Sequence, residues 1–243
     1  MLKVIKLTGL CWAVALVSMT SSATLVFQSG STSSGGQPVD ATADVSISGT
    51  TVTVTLTDNL VDPRSVGNLL NGIQLDISGA HGASDLTAQS ANTLSFSDST
   101  TPVSGNAQGS AIASEYGLSG GSIITLSALS SGPDYLIIGP GPYTDANGSI
   151  TKVNKKTRTN PHNPFIDGSV TFSFNLCGQQ PFSESDVTGV NFLFGTSSPG
   201  CDTSPGTLTY APVPEPSTVI AAMLLLLPLG LGSAHILRKH KVC

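Results

Sequence analysis

The chain has 243 residues, with 15 acidic against 10 basic side chains, a net charge of −5, one Trp and four Cys. Nucleic acids and anionic membrane surfaces are recognised through basic patches, and this balance supplies none, so neither is an expected partner of the body.

At the N-terminus Lys3 and Lys6 precede an apolar stretch of 11 residues, Leu7 to Val17, and Ser21-Ser22-Ala23 offers small residues for cleavage. This is the pattern of a secretory signal peptide over residues 1–23, too short and too polar at its end to span a membrane. Cys11 follows Leu10, unlike a lipoprotein cysteine, which follows a small residue. The exported body then runs over residues 24–212. It holds fourteen acids and five bases, a net charge of −9. About 190 residues suit one domain with a real core.

The body reads as β throughout. Residues 43–48 and 51–57 alternate apolar with Ser or Thr around Gly49-Thr50, a two-residue loop with Gly first that suits a type II′ hairpin. The register pairs Ile47 with Val52, Val45 with Val54 and Ala43 with Leu56, placing every apolar side chain on one face. Thr51, Thr53, Thr55 and Thr57 then form one file on the other face. Ice binding would need ranks of such files, whereas a single file is the solvent side of a strand. Asp62-Pro63 predicts a short helix over Pro63 to Leu70, with Asp as N-cap and Pro at the first position.

Further strands are expected at 73–77, 93–96, 122–129, 135–138, 170–176 and 190–194. Gly, Ser, Thr, Asn and Pro clusters separate them, and two antiparallel sheets packed as a β-sandwich are the natural architecture. Residues 28–38, 104–121 and 139–164 read as long irregular segments, which in a compact domain are functional or disordered. Cys177 and Cys201 remain in the body, since Cys11 and Cys243 fall in the terminal segments. Two cysteines in an exported body are expected to form a disulfide, worth about 3 kcal/mol for the loop it closes.

Candidates for chemistry are sparse. Gly117-Leu118-Ser119-Gly120-Gly121 matches a nucleophile elbow, but no strand is expected before it, and a Gly- and Ser-rich chain produces such matches by chance. His81 and His162 are the body's histidines and read as loop residues. Glu115, Asp134, Asp145, Asp167, Glu184 and Asp186 could supply the carboxylate pair of a glycoside hydrolase, with nothing to single out a pair. Asp145, Asn147 and Ser149 offer oxygens at alternate positions, as in half of a calcium loop. Gly148 falls at the fourth position instead of the sixth and no Glu stands at the twelfth, so an ordinary turn competes with calcium as the reading. No other cofactor motif is present. The basic run Lys152 to Arg158 is either a solvated loop or a local anion site.

The C-terminal segment, residues 213–243, contains Val213-Pro214-Glu215-Pro216-Ser217-Thr218, then 19 residues without an acid, Lys or Arg from Val219 to Leu237, with Pro228, Ser233 and His235 its only awkward members, then Arg238-Lys239-His240-Lys241. An apolar run of that length suits a membrane-spanning helix, and the basic cluster behind it predicts a cytoplasmic C-terminus. A buried core helix is the competing reading. The order of motif, span and basic end closely resembles the PEP-CTERM sorting signal of bacteria that secrete exopolysaccharide. The resemblance implies a protein held in the inner membrane until an exosortase cuts near Pro-Glu-Pro, with Val213, Pro214, Glu215 and Pro216 as the sorting motif. Its implied partners are the exosortase and secretion machinery, with exopolysaccharide a further candidate.

The body strings Ala43 to Leu56, Asn147-Gly148-Ser149-Ile150, His162-Asn163-Pro164-Phe165 and Phe194-Gly195-Thr196 look like a recurring group of PEP-CTERM surface proteins. That resemblance implies an exported β-protein and carries no activity. A cell-surface or matrix protein, structural or adhesive and without catalysis, is the expected function. A secreted polysaccharide-active hydrolase is the alternative.

Overall fold

Apolar and polar residues alternate along much of the chain, and strands follow wherever they do. The computed structural model describes residues 24–128, 134–152, 161–179, 181–196 and 202–209, all within the compact unit Ser22–Val213. In chain order the first elements are β1 (Leu25–Ser29), β2 (Ala41–Ser48), β3 (Thr51–Asp58), β4 (Leu70–Ile77), β5 (Ala80–Ala88), β6 (Ala91–Ser95) and β7 (Val103–Ala107). Next come α1 (Gly109–Glu115), β8 (Tyr116–Gly120), β9 (Ile123–Ala128), β10 (Ile137–Ile138) and α2 (Gly148–Thr151). The described chain ends with β11 (Phe165–Asp167), β12 (Ser169–Gly178), β13 (Val187–Phe194) and β14 (Asp202–Thr209).

The fold is all-β, as expected, but its sheet is a single curled one instead of two separate antiparallel sheets. The hydrogen-bonded order runs β5-β12-β3-β2-β1-β14-β13-β4-β10-β11-β6-β7, with β9 and then β8 branching from β4. The strand that merges the two halves is β14, which pairs with β1 on one side and β13 on the other. The sheet is mixed because β10 and β11 run parallel. Curling brings β5 back against β8, where a side chain on Gly82 would touch the carbonyl of Gly120.

The hairpin β2–β3 has the expected register, with Ile47 opposite Val52, Val45 opposite Val54 and Ala43 opposite Leu56. All six are buried. Gly49 has φ +64° while Thr50 keeps an ordinary negative φ, as the first and second positions of a type II′ loop demand. The inward residues of β12, Val170, Phe172, Phe174 and Leu176, join the same core, and the Phe172 ring lies 4.7 Å from that of Tyr116. A second cluster beneath β6, β10 and β11 is built on Phe96, whose ring meets Tyr143 and Phe165 edge-on at 5.3 and 5.7 Å.

The helix expected over 63–70 is only a 3-10 turn, Val66–Asn68, capped reciprocally by Ser65 and Asn68. Asp62 does not cap it. It adopts φ +55° and turns its carboxylate to Thr144 and Asp145. The N–H of Leu70 is taken by the Asp58 carboxylate, so no helical carbonyl can claim it. The expected irregular segment 104–121 instead holds most of β7 and all of α1 and β8.

Candidate functional site

The outward face of β12, β3 and β2 follows from the same alternation that fills the core. Each inward Val, Leu, Ile or Phe forces its neighbours outward, and here those neighbours are Ser and Thr. The register then aligns the files into ranks across three strands. Thr57 stands between Thr42 and Ser169, Thr55 between Asp44 and Thr171, Thr53 between Ser46 and Ser173, and Thr51 between Ser48 and Asn175. Ten of these twelve side chains are hydroxyls, Asp44 alone is charged and none is aromatic. Adjacent strands lie about 4.8 Å apart and outward positions repeat about every 6.7 Å along each strand.

Cross-strand bonds hold the ranks in place. The Thr55 and Thr171 hydroxyls are 2.8 Å apart, those of Thr53 and Ser173 3.3 Å apart, and the Thr51 hydroxyl donates to the Asn175 side-chain carbonyl at 3.0 Å. On β5, Thr87 extends the Ser173 rank and Ser84 the Asn175 rank. The Asn175 amide also donates to Asp85, which holds that exposed carboxyl below its ordinary range. The Thr51 to Thr57 file is therefore not isolated, as the sequence alone suggested, but one of three in register.

A second polar centre lies where β3 ends. Asp58 is buried and accepts from the N–H groups of Leu60 at 3.0 Å and Leu70 at 3.3 Å, with a further bond from Gly139. Burial raises its carboxyl to about 8 against the pull of those amides, and Asp40 nearby adds to the rise. Tyr143 donates to the Gly139 carbonyl at 3.0 Å, and burial pushes its phenol up to about 12. Asp62, Arg64 and Asp145 line a shallow depression of about 310 Å³ beside Asn68. Arg64 pairs with Asp145 at 2.9 Å in the open, and Thr144 with Asp145 holds the Asp62 carboxyl below its ordinary range.

The remaining sequence candidates fare unevenly. Asp145 is bound to Arg64, while the side-chain carbonyl of Asn147 accepts from both the N–H and the hydroxyl of Ser149. The Ser149 hydroxyl in turn accepts from the N–H of Val66. The three calcium candidates thus serve as an ion pair and a helix cap over α2, and no metal-holding group of His, Cys, Asp and Glu occurs among the described residues. Ser119 lies in β8 opposite Thr125, within a β-hairpin and not at a strand-to-helix elbow. Asn163 brackets Phe96, donating to its carbonyl at 2.7 Å and accepting from its N–H at 3.1 Å, which gives that motif a structural task. Glu115 lies near enough to Asp134 to add to the rise that burial imposes on the Asp134 carboxyl.

Cys177 is free and exposed at the end of β12 beside the β2–β3 hairpin, opposite Gly82. Cys201 lies outside the described residues, but Asp202, its neighbour in the chain, pairs with Phe194 and bonds to Ser33 at the other end of the sheet. The expected pairing of Cys177 with Cys201 therefore lies partly outside the described residues. The signal peptide and the sorting motif Val213, Pro214, Glu215 and Pro216 lie outside the described residues, as does the run Val219–Leu237. Among the described residues no helix is long and apolar enough to cross a membrane.

No family model, curated protein or solved structure matches the chain.

Proposed function

We propose that the chain is an exported, exosortase-sorted surface or matrix protein whose body works by contact and not by catalysis. The observation that carries this reading is the outward face of β12, β3 and β2: three files of short side chains in register, almost uncharged, on a body of net charge −9. Such a face offers many weak polar contacts and no histidine beside a hydroxyl to make it a nucleophile. The signals in the sequence supply the route. Residues 1–23 direct export, and the apolar run Val219 to Leu237 anchors the chain in the inner membrane with its C-terminus cytoplasmic until an exosortase cuts. The body is then left at the cell surface or in the extracellular matrix.

Pro214 and Pro216 fix an extended backbone that donates no hydrogen bond, and Glu215 is a charge that cannot sink into the bilayer. An extended peptide standing clear of the membrane is one that a protease can grip. Glu215→Ala, or Pro214→Ala with Pro216→Ala, should leave export intact and block release. The variant should accumulate in the inner membrane at its uncleaved mass. Arrival at the surface at the normal size would sink the exosortase reading.

One observation favours the hydrolase alternative. Burial with Glu115 nearby raises the Asp134 carboxyl, the direction a general acid needs. Release of reducing ends from a polysaccharide, abolished in Asp134→Asn, would establish that reading in place of the first.

A further inference from the structure

We infer that the ranked hydroxyl face of β12, β3 and β2 is a binding surface for a neutral polysaccharide. This deepens the contact role proposed above and rests on it. Solvent-facing sheets are ordinarily studded with charges of both signs, which keep a protein soluble and separate from its neighbours. Here charge is segregated. Twelve side chains in the ranks include one carboxylate and no cation, while Asp62 and Asp145 lie on loops and Asp85 stands at the margin of the face, on β5.

What the face can hold follows from its chemistry. In each hydroxyl pair, such as Thr55 with Thr171, one O–H is spent across the strands, which leaves one O–H and several lone pairs directed outward. The ligand must therefore offer donors and acceptors together, as sugar hydroxyls do. A net charge of −9 with no Lys or Arg in the ranks repels polyanions, so nucleic acids, acidic lipids and uronate-rich polymers are poor fits. The same charge opposes a second copy of this chain. No aromatic ring is present to stack on a single sugar, so affinity must accumulate over many weak contacts, which selects a polymer over a monosaccharide.

The test is retention of the full chain, in a detergent without sugar groups, on insoluble neutral glucan and mannan and on an acidic uronate gel. The neutral matrices should retain it, and the uronate gel should not. Soluble oligosaccharide should elute it, whereas the free monosaccharide should not. Thr53→Val with Thr55→Val keeps the β-branched shape while removing two hydroxyls, and should weaken retention by about fivefold or more without lowering the melting temperature. Passage of the wild type through every neutral matrix would overturn the inference while leaving the sorting experiment untouched. Equal retention of the valine variant, or preference for the uronate gel, would overturn it too. Self-association lost in the variant, or inhibition of ice growth lost in it, would assign the face to a second copy or to ice instead.

Discussion

Asp58 is the residue on which most of the loop architecture converges. Its carboxyl gathers the N–H groups of Leu60, Leu70 and Gly139, so one side chain ties the end of β3 to the start of β4 and to the loop after β10. Burial raises it to about 8 in the folded protein, whereas in an unfolded chain it ionises near 3.8. Between those values the folded state holds the proton that the unfolded state has released, so raising the pH favours unfolding. The contribution of Asp58 to stability should be greatest below about pH 4 and fall by up to about 5 kcal/mol as the pH rises towards 8. Asp58→Asn does not titrate and should flatten that slope in denaturant titrations at successive pH values. A wild-type stability that stays level from pH 4 to 8 would contradict this account. The comparison also isolates Asp58 from Asp134, whose raised carboxyl tilts the curve the same way.

At the scale of elements, the hairpin β2–β3 shows what local pattern can specify. Its loop needs a positive φ at Gly49, and a Cβ there would meet no neighbour within 4 Å. Gly49→Ala should therefore cost about 1 kcal/mol from backbone strain alone, with unchanged cooperativity in chemical denaturation. An unaltered midpoint would show that the turn is of another type. The same alternation made β4, β9, β12 and β13 legible, because each buries a period-two set of apolar residues. β5, β7 and β14 were not legible, since Ala80–Ala88, Val103–Ala107 and Asp202–Thr209 are rich in small and polar residues and extend only because neighbours pair with them. The helix over 63–70 failed for a related reason: a local capping signal was outweighed by the distant partners of Asp62 and Leu70. The hydroxyl face was half legible. Each file could be read from its own strand, but the pairing of β3 with β12 joins segments more than a hundred residues apart.

For the molecule as a whole, the exposed end of β12 sets the reactivity of Cys177. Cys177 should react with a thiol reagent in the folded body without prior reduction. Protection of Cys177 until reduction would show that it is paired, as the two cysteines of the body led us to expect. The strand β14 carries a different consequence. It is the last described strand in the chain, yet it is hydrogen-bonded to the first, with Val26 opposite Thr209, and it also closes onto β13. A polypeptide that emerges N-terminus first can assemble much of each half before β14 appears. Until then the flanks of β1 and β13 stand open side by side, two unpaired edges of the kind that recruit stray strands. The hazardous interval in this protein's biogenesis is thus set by the distance from Phe194 to Thr209. A holding factor would be needed for that interval more than for any earlier one.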